Sequence, residues 1–245
     1  MATLGGTTLL FSKLKNIFAW AKRPSFAYRE GEPKFNKFRA ARIWSNRELM
    51  QIAHLFTGTI CNVSAKRDED KEGKHYREYF INASRYMTTN LTKDEYSDFS
   101  LDLESFSGEG RENNLSFDCV FNHTVLEHIF DCRRAFVNLC AMSRDVVIVV
   151  VPYIQQVHAS PEQYNDYWRF TPYTMQRMYE ENNLKLRYCS ANGAERTSIY
   201  LFCVGYRDAA KWDKHIPERM DIALDPNKPL NDNTYMNIIG GNVVK

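Results

Sequence analysis

Apolar positions along the chain follow two rhythms. Over residues 117–122 and 146–151 they run almost without interruption, as Phe117-Asp118-Cys119-Val120-Phe121-Asn122 and Val146-Val147-Ile148-Val149-Val150-Val151. The second run, short and β-branched, predicts a strand that is apolar on both faces, as a parallel strand covered by helices must be. Further strand-like runs cover residues 59–63, 86–90, 99–103, 186–190 and 198–205. Between them the apolar spacing changes to three and four. Residues 45–55 align Leu49, Ile52, Ala53 and the following Phe56, with Ser45 and Asn46 as candidate caps. Residues 131–142 turn Ala135, Phe136, Leu139, Cys140 and Met142 inward and Arg133, Arg134 and Asn138 outward, with Asp131 as N-cap. Thr171-Pro172 reads as a third helix start, with Met175, Met178 and Tyr179 on the buried face.

Strands alternating with helices predict one α/β domain around a doubly wound, mostly parallel sheet. Three parts follow from the pattern. Residues 1–44 hold a basic amphipathic helix over 9–22 and a basic, aromatic connector; residues 45–210 form the domain; residues 211–245, with Pro217, Pro226 and Pro229, form an extended tail. The helix aligns Leu10, Leu14, Ile17, Phe18 and Ala21 among Lys13, Lys15 and Lys22, which suits a membrane surface, a partner or its own domain.

Composition narrows the function classes. A chain of 245 residues can bury one sizeable core. With 32 basic and 30 acidic residues, its formal charge of +2 argues against the broad basic surface of a nucleic-acid protein. The run 146–151 is far too short to span a bilayer, and residues 1–10 lack the charged start of a secretory signal. Six cysteines occur singly, without metal-ligand spacing. Buried free thiols, no metal, and a cytoplasmic location with at most peripheral membrane contact are the expectations.

In a doubly wound sheet, ligands sit beyond the carboxyl ends of the strands. The run 117–122 leads into His123-Thr124-Val125-Leu126-Glu127-His128, and the run 146–151 leads past Pro152 towards Asp166-Tyr167-Trp168-Arg169-Phe170-Thr171-Pro172. Both follow strand ends, so they should meet at one rim. His128 and His158 are the candidates for proton transfer, because imidazole titrates near neutral pH. Each could equally fix its own loop. Tyr167, Trp168 and Arg169 could stack on a sugar and hold a carboxylate or phosphate. They could instead cap the sheet rim, with Arg169 paired internally.

Phe117-Asp118-Cys119-Val120 leading to Val125-Leu126-Glu127-His128 resembles the fourth-strand motif of class I S-adenosylmethionine-dependent methyltransferases. Val151-Pro152, His158, Pro161 and the run from Asp166 to Pro172 resemble the segment after the fifth strand in a bacterial, type 11-like subgroup, many of whose genes sit with those for surface glycans. The resemblance covers residues 49–207. It implies a seven-stranded Rossmann-like sheet with helices on both faces, S-adenosylmethionine as cofactor, and a small-molecule or glycan acceptor methylated on oxygen. It also implies cofactor contacts at Asn62, Ser64 and Lys66 after the first strand, Asn90 after the second, Asp102 and Leu103 after the third, and Asn122 and Glu127 at the fourth.

This chain departs from the family pattern on the donor side. Asn62-Val63-Ser64-Ala65-Lys66 has no glycine where the family has a glycine-rich turn that admits the methionine end and ribose. Asn90 replaces the carboxylate that binds the ribose hydroxyls, although Tyr76-Arg77-Glu78-Tyr79-Phe80 still resembles the helix after the turn. Two readings stay open. One is a methyltransferase for a sugar or surface-glycan intermediate, the other a methyltransferase-like binding or scaffold domain without catalysis. A nucleotide-dependent oxidoreductase shares the sheet in outline, but no G-x-G-x-x-G follows the first strand.

Overall fold

The predicted strands pair into one sheet made of β1 (Thr59–Val63), β2 (Arg85–Asn90), β3 (Phe99–Ser100), β4 (Phe117–His123), β5 (Ser143–Ile154), β6 (Lys185–Ala191), β7 (Ile199–Tyr206) and β8 (Arg219–Met220). The computed structural model describes residues 39–106, 115–158, 164–192 and 199–221. Spatial order is β3-β2-β1-β4-β5-β7-β6-β8, parallel throughout except that β7 runs antiparallel to β5 and β6. The chain divides into two units, Met1–Asn36 and Lys37–Lys245, and every element described here belongs to the second. The helix expected over residues 9–22 and the tail beyond 221 lie outside the described residues.

Strand β5 explains the two-layer core. Its side chains alternate between faces, and Val147, Val149 and Val151 pack with β4, β7 and the helices α2 (Cys132–Met142) and α3 (Pro172–Glu181). Val146, Ile148 and Val150 face the opposite layer, which holds Ala41, Leu49 and Ile52 of α1 (Arg39–Ile52) and Trp212 of the short α4 (Ala209–Trp212). All six are buried. Two of the caps read from sequence hold: Asp131 accepts the Arg134 N–H at 3.1 Å, and Thr171 accepts the Thr174 N–H at 3.1 Å ahead of Pro172.

Several expectations change. Helix α1 already includes Arg39, inside the segment read as connector, so Ser45 and Asn46 lie within it and cap nothing. Their side chains reach tertiary partners instead. Asn138, read as outward, is buried because its amide donates to the Leu103 carbonyl at 2.7 Å, beyond the end of β3. Residues 211–221 are not the start of an extended tail: Trp212 and Ile216 are buried, and β8 joins β6 at Tyr188 and Arg219. The helix expected around Tyr76 is a single 3-10 turn, Tyr76–Glu78. Tyr76, Tyr79 and Phe80 compensate by packing as a ring cluster on Phe56 and Phe121, with Tyr76 and Phe121 centroids 5.1 Å apart. All six cysteines are buried free thiols. Among the described residues, no helix is long and apolar enough to cross a membrane.

Gly205 on β7 shows how closely the helical layer sits on the sheet. A Cβ there would lie 2.2 Å from the Tyr179 ring, whose hydroxyl donates to the Val147 carbonyl at 3.1 Å. Gly205→Ala should therefore push Tyr179 out of its place and destabilise the fold by about 1–3 kcal/mol. Urea unfolding checks this, and an unchanged midpoint would contradict the packing described.

Candidate functional site

The carboxyl ends of β1, β2 and β4 lie side by side, since Val63 pairs with Asn122, and Asn62 with Thr88. The chain leaves β1 into a loop that carries no helix, so its backbone groups must find partners elsewhere. Asp68 and Asp70, both buried, supply many of them. Asp68 accepts from the Asn62 amide (2.8 Å), the Tyr86 hydroxyl (2.7 Å) and the Arg77 N–H (3.1 Å). Asp70 accepts from the Glu72 and Lys74 N–H groups and from the Tyr79 hydroxyl at 2.7 Å. Burial pushes Asp70 up, yet Tyr79 and the backbone donors together hold it below the usual carboxylate range.

This loop is fastened across the end of β2. The Ser64 N–H donates to the Thr89 hydroxyl (3.0 Å), and the Ala65 N–H donates to the Thr89 carbonyl (2.8 Å). The Lys66 N–H donates to Asn90 Oδ1 (2.7 Å), while Asn90 Nδ2 donates back to the Lys66 carbonyl (2.9 Å) and to Asp94 (2.9 Å). Ser64 and Lys66 take left-handed backbone angles, φ 57° and 56°, without being glycine. Asp102 is turned to local use, accepting from the Glu104 N–H and the Ser105 hydroxyl at 2.9 Å each. Leu103 is buried, and Asn122 donates to the Val63 carbonyl at 3.0 Å.

Helix α1 plugs the end of β4. Arg42 can only donate, so its 2.7 Å contact makes His123 Nδ1 an acceptor and puts the ring proton on Nε2. Nε2 then donates to the Ser45 hydroxyl (2.9 Å), which donates to the Arg42 carbonyl (2.9 Å). Burial, aided by the Arg42 charge, drives His123 well below the ordinary histidine range and keeps it neutral. Arg42 also donates to Tyr76 and Thr124. Sequence reasoning assigned no role to Arg42, Asp68 or Asp70, and read Ser45 as a helix cap and Tyr76 as part of a helix rather than as members of this cluster. A small crevice of about 140 Å³ remains between this cluster and the β1 loop.

The other half of the rim joins the segment after β4 to the one after β5, as the sequence suggested. The Tyr167 N–H donates to the Glu127 carbonyl (2.7 Å), and His128 Nδ1 donates to the Asn165 carbonyl (2.6 Å). His128 and His158 are brought together, ring centroids 5.1 Å apart, with Tyr164 against His128 at 4.4 Å. His158 Nδ1 lies 2.9 Å from Asp166, which also takes a two-pronged pair from Arg169 at 2.6 and 2.7 Å. Arg169 is further spent on the Gln155 and Trp168 carbonyls, so it stiffens the rim. The Trp168 indole donates to the carbonyls of Ile129 and Phe130, while Tyr167 packs edge-on against Phe130. Burial lowers His128.

Glu127 is the anomaly of this half. It is fully buried, neither carboxyl oxygen has a hydrogen-bond partner among the described residues, and the nearest base is His128 Nε2 at 3.7 Å. Burial pushes its pKa up to about 8, with Asp166 adding to the rise and Arg169 and Arg42 opposing it. A protonated carboxyl beside a neutral imidazole is suited to donating a hydrogen bond or a proton.

These residues do not fit S-adenosylmethionine as the resemblance places it. Asn90 supplies no anion and has both amide hydrogens committed, Asp102 is engaged with its own turn, and the crevice falls below the ~300–1,000 Å³ typical of small-molecule sites. No group of three or more metal-ligating side chains occurs among the described residues.

No family model matches this sequence, and no curated protein matches it. Solved structures do. Magnesium protoporphyrin IX methyltransferase from Synechocystis PCC 6803 with bound S-adenosylhomocysteine superposes with a TM-score of 0.51 at 10% identity, over 82% of this chain and 95% of that one. The same enzyme with bound S-adenosylmethionine gives 0.50 at 11% identity, over 85% and 100%. At such identity the likeness establishes the fold: this chain has the Rossmann-like methyltransferase fold.

Glu127 makes a test of the rim. Its pKa stands near 4.3 in an unfolded chain and about 8 when folded. A raised value contributes stability that is whole below the unfolded pKa and lost as pH rises towards the folded one. Glu127→Gln removes the titration, so wild type should weaken relative to this variant between about pH 5 and pH 8, by on the order of 2–4 kcal/mol. Denaturation of both proteins at the two pH values checks it; a gap that does not widen would show that Glu127 ionises freely.

Proposed function

We propose that this chain is a binding domain built on the methyltransferase fold, whose donor crevice no longer takes S-adenosylmethionine. The observation that carries this reading is the reciprocal pair of Lys66 backbone and Asn90 side chain. A ribose between them would have to displace both bonds, which tie an exposed backbone to a half-buried side chain. Charge supports the same reading. The sulfonium of the cofactor is a cation, and the crevice is lined by Arg42, Lys66, Arg67 and Lys71 against Glu69. The near-balanced charge of the chain supports a small-molecule or glycan ligand rather than nucleic acid.

A second reading, O-methylation of a sugar or surface-glycan intermediate, draws support from the other half of the rim. There the buried Glu127 carboxyl and the His128 imidazole stand beside the exposed rings of Tyr167 and Trp168, a setting that suits a hydroxylated ligand.

Calorimetry separates the two. Wild-type protein should give no heat with S-adenosylmethionine or S-adenosylhomocysteine at about millimolar ligand, and a Kd of about 100 µM or tighter would return the chain to the methyltransferases. The combined Ser64→Gly, Lys66→Gly and Asn90→Asp variant restores a glycine-rich turn and an acid. Cofactor heat in that variant alone is the expected result.

A further inference from the structure

We propose that the crevice between the β1 loop and the end of β4 binds a phosphate or diphosphate group of a small ligand. This rests on the reading that the crevice does not take S-adenosylmethionine. It lies where β1 has β2 on one side and β4 on the other, the point of reversal at which open α/β sheets place ligands. Four cations line it against one acid, and Glu69 is itself taken up by Lys71 at 3.4 Å.

Three of the cations, Arg42, Lys66 and Arg67, have no carboxylate partner among the described residues. Arg42 reaches only the neutral Tyr76 hydroxyl, His123 ring and Thr124 hydroxyl. The exposed Lys66 ammonium makes no hydrogen bond or ion pair there. Arg67 sits over the Tyr96 ring at 5.2 Å, which holds its stem while leaving guanidinium donors for a ligand. A guanidinium fixed at the half-buried end and an ammonium at the exposed end is an arrangement built for an oxyanion.

Charge and volume select the phosphate. A carboxylate would offset one of the surplus charges, whereas a phosphate brings about −1.5 to −2 and a diphosphate more. The crevice, about 140 Å³, is smaller than the ~300–1,000 Å³ of a typical small-molecule site, so it holds the charged end of a ligand rather than the whole of it. The rest of the ligand must then lie outside the crevice, and inorganic pyrophosphate should recover much of the binding on its own.

The test is calorimetry of the full chain with inorganic pyrophosphate, with malonate as a dicarboxylate dianion for comparison. Pyrophosphate should bind, more weakly as salt rises, and malonate should bind at least about tenfold less tightly. Lys66→Gln removes an exposed charge with no folded partner, so it should keep the wild-type melting temperature and weaken pyrophosphate about tenfold. Arg67→Gln serves as a second variant, because Arg67, unlike Lys66, does not take a left-handed backbone. Absence of pyrophosphate heat, equal affinity for malonate, or full affinity in both variants would overturn the inference. Loss of pyrophosphate binding without any S-adenosylmethionine binding sinks this inference alone; tight S-adenosylmethionine binding sinks the reading beneath it.

Discussion

The backbone that leaves β1 must be satisfied without a helix, and two buried aspartates meet that constraint. Asp68 and Asp70 take hydrogen bonds from residues on both sides of the loop, from β2 through Tyr86, and from the 3-10 turn through Arg77 and Tyr79. Helix α1 joins the same frame, because Asn46 donates to the Asp70 carbonyl at 2.9 Å. A buried carboxylate is costly unless its lone pairs are filled, and each bond to a charged acceptor contributes about 1.5–3 kcal/mol. The loop is therefore held by side-chain carboxylates where a helix would use its own backbone. It lies across β2, and that position fixes the size of the crevice, its charge and the fate of Asn90.

The two acids at this half of the rim are handled in opposite ways. Asp166 is filled by Arg169 and His158, which hold it below the usual range although burial opposes them. The Glu127 side chain is also fully covered, yet it has no hydrogen-bond partner among the described residues, and burial raises its pKa to about 8. Carboxyls pushed apart by their surroundings acquire separate roles. Here Asp166 is structural, since it orients His158 and ties up Arg169. Glu127 is the group with unmet bonding capacity, and a ligand at the rim would lower the energy of the site by supplying an acceptor for its proton.

Much of this fold was legible in the sequence because its cues are local. The valine run of β5 announces a strand with two buried faces, Thr171-Pro172 fixes the start of α3, and the strand ends at Asn122 and Val151 bring His128 and His158 to one rim. The donor side was legible only as a departure from a pattern. That Ser64 and Lys66 are not glycine can be read directly, but that the loop would bond to Asn90 cannot, because the partners are 24 residues apart. Asp68 and Asp70 were hidden by their neighbours: within the run from Arg67 to Glu72 they look like solvated charge, and only the fold buries them. Arg42 was missed for a related reason, since it was read as part of the basic connector before residue 45, whereas the fold places it inside α1.

Arg42 links the crevice to the rim. Its charge is among the effects that lower Glu127, working against the burial that raises it. An anion seated beside Arg42 would cancel that field in a region where charges act over distance with little screening. Glu127 would then hold its proton to still higher pH, although no atom of the anion need touch it. Binding in the crevice and the protonation of the rim are thus linked reciprocally, so a protonated Glu127 must also favour the anion. The fold supplies this link through a single helix, because α1 carries Arg42 to the point where β4 ends and the Glu127 turn begins.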